Sequence, residues 1–305
     1  VHLFFTDAGG NPITQRSVRL DETSTTHAAV AKVEVKAEMT GDSLVVTAGQ
    51  SVYTFDRKTG QLASLEVAGE KMIGGATLAI WRNPTYSEAN VLDRRKVTYE
   101  WKTFLQDIPA VASAFDFKSD DKGVLITATV DYKEDDKNSV AVDYTYRVGT
   151  DGSLRVDYVV KPKLDLPWLQ EIGLSLQTPD EPQTITWVGY GPGTTLPNRH
   201  GAALFGQWMS PLFSGESRGT KSGVEWLRLA GSEGRALQVK GIEGFRLDSE
   251  KQGDIHLRVL THIAGAWVKG GPAERPEWRL DLKEDGTGEF KGSLQIPPVL
   301  DASAG

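Results

Sequence analysis

The chain has 305 residues, with 34 Lys and Arg against 41 Asp and Glu and a formal net charge of −7. That balance offers no basic field to attract nucleic acid, no apolar run reaches the roughly 20 residues that a membrane span needs, and the absence of cysteine excludes disulfides and thiolate metal sites. The 32 glycines and 14 prolines point to many turns, in a chain long enough for one large β domain or two ordinary ones.

The first 40 residues carry a strand-like end at 1–5, a turn at Asp7-Ala8-Gly9-Gly10-Asn11-Pro12, a returning strand at 17–20 and a polar, small-residue stretch at 23–31. They are expected to be the tail of a preceding domain or a linker, with 41–305 forming the main domain. The chain begins at Val1 without a charged or apolar leader, so it reads as a soluble piece of a longer protein, its compartment (cytoplasmic or periplasmic) left open. From Ser43 the pattern sharpens. β-branched and aromatic residues at 44–47 and 51–55, the turn Asp56-Arg57-Lys58-Thr59-Gly60 and a return at 62–67 predict a hairpin. Further strands are predicted at 78–81, 97–105, 112–117, 124–132, 140–148 and 154–161. Thr127-Ala128-Thr129-Val130-Asp131-Tyr132 alternates polar and apolar, so each strand has one buried and one wet face, and the sheets are expected to be antiparallel. Downstream candidates are 184–189, 224–229, 236–241, 245–248, 256–262, 278–282 and 288–295, and only 202–208 offers a helical turn or two. Short strands at regular intervals over ~250 residues predict a large all-β sandwich or barrel.

The densest local chemistry lies between Trp187 and Trp208. A strand runs into a loop punctuated by Gly189, Gly191, Gly193, Pro192 and Pro197, which restricts its shape, and that loop holds Asn198, Arg199 and His200. Its plain structural reading is a rigid sheet corner, with Arg199 capping carbonyls. No nucleophile elbow and no phosphate-cradling glycine loop occurs. Acidic pairs such as Asp120-Asp121 sit in turns and read as solvated loop tips. The five histidines lack metal-ligand spacing; His256 and His262, six apart, are expected on one face of a strand, too distant to share an ion. Most of the eight tryptophans read as core. Trp81, Trp267 and Trp278 border loops and are the candidates for stacking on a sugar face.

Several segments, in order, resemble the C-terminal (small-chain) domain of the family 2 β-galactosidases, over residues 44–296. They are the opening hairpin Tyr53-Thr54-Phe55-Asp56-Arg57-Lys58-Thr59-Gly60, the Arg-x-Pro loop at Arg82-Asn83-Pro84, Leu166-Pro167 through Ile172-Gly173-Leu174, and Gly219-Thr220-Lys221 to Trp226-Leu227. The most specific is Trp187 to Arg199, which resembles the signature Trp-x-Gly-x-Gly-Pro-x-x-x-x-Pro-[Asp/Asn]-Arg. The resemblance implies a large antiparallel β-supersandwich of the galactose mutarotase-like kind. It also implies that the catalytic glutamates lie in a separate (β/α)8 barrel, so no residue here is catalytic and no cofactor is expected in this chain. The implied partners are a β-galactoside together with that barrel, and neither nucleic acid nor membrane. The implied sugar-contacting residues are Arg82, Glu88, Asn198, Arg199, His200, Trp267 and Trp278.

Two departures from the family pattern stand out. The acidic run that follows Arg-x-Pro is replaced by Thr85-Tyr86-Ser87-Glu88-Ala89-Asn90, with Glu88 and Asn90 its nearest substitutes. The late Gly-Gly-Asp-Asp-Ser-Trp becomes Gly270-Gly271-Pro272-Ala273 and onward to Trp278, which reads either as the stacking tryptophan or as a core aromatic. Two rival readings are a stand-alone carbohydrate-binding module around Trp81, Arg82, Arg199 and Trp267 or Trp278, and an aldose epimerase-like enzyme using His200 or His262 with a glutamate.

Overall fold

A computed structural model describes residues 2–18, 32–82, 108–178, 184–212, 219–231, 235–249, 255–266 and 275–298. In chain order its strands are β1 (His2–Thr6), β2 (Pro12–Ser17), β3 (Val35–Thr40), β4 (Ser43–Ala48), β5 (Ser51–Asp56), β6 (Gln61–Val67), β7 (Glu70–Ile73) and β8 (Gly75–Ala79). Four long strands follow: β9 (Val111–Asp120), β10 (Gly123–Lys133), β11 (Ser139–Gly149) and β12 (Leu154–Lys163). Then come β13 (Trp168–Leu169), β14 (Glu171–Thr178), β15 (Thr184–Gly191), β16 (Leu204–Pro211), β17 (Lys221–Ser222) and β18 (Trp226–Ala230). The last are β19 (Ala236–Lys240), β20 (Gly244–Ser249), β21 (Ile255–Ile263), β22 (Leu280–Asp281) and β23 (Phe290–Ile296). Two 3₁₀ turns, Pro197–Ala202 and Pro276–Trp278, interrupt them, and among the described residues no helix is long and apolar enough to cross a membrane.

The strands form an antiparallel supersandwich. A nine-stranded sheet runs β16-β15-β18-β19-β23-β12-β11-β10-β9, a five-stranded sheet runs β17-β20-β21-β14-β8, and β3 to β7 form a five-stranded meander. The period-two pattern drives this assembly: Val140, Val142, Tyr144, Tyr146 and Val148 of β11 all point inward, and the alternate residues face out. Trp187 of β15 meets Phe245 of β20 edge to face at 5.6 Å, which puts the nine- and five-stranded sheets face to face across one core. Tyr53 of β5 donates its hydroxyl hydrogen to the Gly152 carbonyl at 2.7 Å and so ties the meander to the β11–β12 turn.

Three expectations change. Residues 202–208 make no helix of their own: Ala202 ends the 3₁₀ turn and 204–208 run in β16, which pairs in register with β15, Trp208 opposite Trp187. The Trp208 Nε1–H donates to the Gly189 carbonyl at 3.1 Å, and a Cβ at Gly191 would fall 2.8 Å from its indole, so Gly191 makes room for this ring. The tail of the predicted strand at 278–282 is present only as β22, because the 3₁₀ turn occupies Pro276–Trp278. His256 and His262 do not share a face. The register of β21 against β14 slips between Gly173 and Ile172, where Leu260 and His262 are the partners and Thr261 is extra. His262 therefore packs on Phe290, rings 5.9 Å apart, while His256 Nδ1 lies on the other face, 3.2 Å from Ser175 Oγ.

Candidate functional site

β15 carries the chain out of the core, through a cis peptide at Gly191–Pro192, into the loop singled out above. Thr195 anchors that loop: its N–H donates to the Thr220 carbonyl and its Oγ1 accepts from the Ser222 N–H, both at 2.9 Å. Pro197 then opens the 3₁₀ turn, where its missing N–H costs nothing. The three polar residues of the turn go different ways. Asn198 Nδ2 donates to the Ala266 carbonyl at 2.7 Å while its Oδ1 accepts from the Ala266 N–H at 2.9 Å. Arg199 is exposed. His200 stacks on Tyr190 at 4.0 Å, with Nε2 2.8 Å from Ser222 Oγ, and burial pushes its imidazole below the ordinary 6.5, so it is neutral at neutral pH.

Residues 264–266 are the hub onto which distant segments converge. The Ala264 N–H donates to the Gln170 carbonyl and the Gly265 N–H to the Trp278 carbonyl, both at 2.8 Å. Gln170, 3% exposed, accepts the Arg82 N–H on its Oε1 at 3.3 Å. Arg82, Asn198 and Trp278 are thus gathered around Gln170 and 264–266. Trp278 is half-buried, outside both core clusters, with the Arg275 guanidinium over its ring at 4.9 Å. Glu88 and Trp267 lie outside the described residues, as do the predicted strand at 97–105 and Gly270-Gly271.

Behind Arg82 lies a buried ion network on the face of the five-stranded sheet that points away from Trp187. Glu171 of β14, 0% exposed, sits 2.5 Å from Arg246 of β20 and 3.7 Å from Arg258 of β21. Asp248 binds the same two arginines, at 2.9 and 2.5 Å. Arg258 and Arg246 also donate to the Trp81 carbonyl at 2.9 and 3.4 Å, fixing the chain just before Arg82. Burial pushes the Glu171 carboxyl above the usual range against the pull of Arg246, Arg258 and Arg82. Burial acts the same way on Asp248, but there Arg246 and Arg258 win and hold it below. Both carboxylates are committed to arginine and are not placed to attack or protonate a glycoside. Among the described residues, no group of three or more His, Asp or Glu is arranged to hold a metal ion.

Gln170, Glu171 and 264–266 carry the geometry of this site, yet none was marked by a motif of its own. For Gln170 and Glu171 the one sequence signal is the polar pair at the entry to β14, ahead of the alternating Ile172, Leu174 and Leu176.

The family described as beta galactosidase small chain matches residues 47–289. A beta-galactosidase of Lactococcus lactis is 24% identical over 244 residues, covering 74% of this chain and 24% of the relative. A beta-galactosidase of Priestia megaterium is 23% identical over 258 residues, covering 81% of this chain and 24% of the relative. The chain therefore spans about a quarter of the length of these relatives. Among solved structures, the galactose 1-epimerase of Lactobacillus acidophilus superposes with a TM-score of 0.45 at 12% identity, over 87% of this chain and 98% of that one. With the family matched across most of its length, the chain belongs to the beta galactosidase small chain family.

Proposed function

We propose that this chain is the C-terminal part of a β-galactoside-cleaving enzyme, and that it forms one wall of the sugar cleft against a catalytic barrel carried elsewhere in the parent polypeptide. The observation that carries this reading is the convergence of Arg82, Asn198 and Trp278 on Gln170 and 264–266. The half-buried indole of Trp278 beside fixed amides suits the faces and hydroxyls of a sugar, while Arg82, 4% exposed, supports that wall from behind through its backbone N–H. The committed carboxylates Glu171 and Asp248 leave general acid–base work to the barrel. The epimerase reading gains no support, because His200 and His262 bond to the hydroxyls of Ser222 and Thr261 and point into different surroundings.

The β1–β2 hairpin fits the same picture. It leaves Phe4 71% and Ile13 67% exposed although the Phe205 N–H of β16 donates to its Ser17 Oγ at 2.9 Å, and a two-stranded hairpin so little covered is marginal in water. We read it as a fragment of a preceding domain whose core it completes in the parent.

Two measurements test the proposal. The pure chain is expected not to hydrolyse an aryl β-galactoside; turnover would overturn the assignment of the chemistry to the barrel. Calorimetric titration with galactose is expected to show weak binding that Trp278→Ala abolishes without unfolding. Unchanged binding in that variant would remove Trp278 from the wall.

A further inference from the structure

Two residues before Gln170 and one after Trp278, the chain enters a separate groove of about 820 Å³. Its walls are the β10–β11 turn at 136–137, the segment 163–168 and the stretch from Arg279 to Gly286. The walls are pinned to one another by backbone donors. The Asp165 N–H donates to Asn138 Oδ1 and the Leu164 N–H to the Gly286 carbonyl, both at 3.0 Å, and the Leu282 N–H donates to the Pro167 carbonyl at 2.9 Å. The shape exists before any ligand arrives, so binding there is spared the cost of ordering loops.

The lining is polar and nearly neutral. Five carboxylates and four cations face the groove, and some already balance each other, as Arg279 does Asp281 through two contacts of 2.9 Å. Half-buried Trp168 supplies an aromatic wall among them. A phosphate or uronate would need a surplus of cations, and a metal ion a convergent set of carboxylates. Many donors and acceptors at near-zero net charge, beside an indole, match a neutral polyhydroxylated chain instead. We propose that this groove is a binding site for a neutral oligosaccharide, with Trp168 as the stacking surface and the exposed carboxylates of Asp165 and Glu284 as acceptors for sugar hydroxyls. The site is independent of the galactoside wall around Trp278.

The test is calorimetric titration of the 305-residue chain with cellotetraose, a neutral tetraose that carries no galactosyl unit for the wall around Trp278. The wild type is expected to bind, with affinity falling about tenfold in Trp168→Ala and about threefold in the double variant Asp165→Ala, Glu284→Ala. The double variant changes only exposed side chains and is expected to keep the wild-type melting midpoint, which guards against misreading a folding defect in Trp168→Ala. No tetraose binding by the wild type, unchanged affinity in the folded double variant and Trp168→Ala, or tighter binding of a trigalacturonate than of the tetraose would each overturn the proposal.

Discussion

Asn198 and Ala266 meet across 68 residues of sequence through two hydrogen bonds, of 2.7 and 2.9 Å. One side-chain amide thereby does what a neighbouring strand does, satisfying both the N–H and the carbonyl of a buried residue. The loop signature and the hub at 264–266 are joined at this point, and Trp278 is held next to it through Gly265. Asn198→Ala leaves both Ala266 groups unpaired and is expected to cost about 2 kcal/mol. Hydrogen exchange at the Ala266 amide reads the effect directly, and an unchanged exchange rate would contradict the bridge.

Glu171 is the second pivot. Glu171→Gln removes the anion that Arg246 and Arg258 approach while leaving both cations buried, and breaking such a pair from one side costs about 3 kcal/mol. The loss should appear in urea unfolding, with faster exchange at the Arg82 amide. A variant as stable as the wild type would mean that Asp248 alone neutralises the cluster.

The histidines set a pH dependence with a definite sign. Burial holds His200 and His262 below 6.5, so the folded chain takes up their protons less readily than the unfolded chain. Their contribution is whole above pH 6.5, declines as the pH falls below it, and levels off beneath the folded values. Glu171, raised by burial, acts in the opposite sense, its contribution being lost as the pH rises above 4.5. The informative quantity is thus the difference between wild type and His200→Gln. That difference in unfolding free energy is expected to shrink as the pH is lowered from about 7 to about 5.5. A constant difference would show that His200 titrates alike in both states.

The long strands were legible because each buries one face. The alternations at 124–132, 140–148 and 154–161 lie inside β10, β11 and β12. β14 alternates too, Ile172, Leu174 and Leu176 against Gly173, Ser175 and Gln177, but nearly all of both faces is buried, and only the resemblance marks its Ile172-Gly173-Leu174 core. β16 was misread because Ala202, Ala203 and Leu204 mimic a helical run, whereas the pairing of Trp208 with Trp187 decides its conformation. The extra Thr261 in β21 is invisible to period-two counting, and it turns half-buried His262 toward Phe290. At the candidate site, the loop was conspicuous for its glycines and prolines, but Gln170 matters only because 264–266 lands beside it, a long-range fact that no local pattern records.

Gly265 separates the two site residues it touches. A Cβ there would lie 3.0 Å from Asn198 Cγ and 3.1 Å from Trp278 Cβ, close enough that one of them must yield by a few tenths of an ångström. The Asn198 amide is fixed by its two bonds to Ala266, so Trp278, held through its backbone carbonyl, is the side that moves. Gly265→Ala is therefore expected to cost only about 1 kcal/mol of stability, while galactose affinity falls about tenfold because the indole shifts relative to the fixed Asn198 amide. Melting and calorimetric titration on the same sample separate the two effects. Stability lost with affinity intact would make Gly265 a packing residue and place the sugar elsewhere; affinity lost with stability nearly intact would make it the spacer that sets the width of the wall.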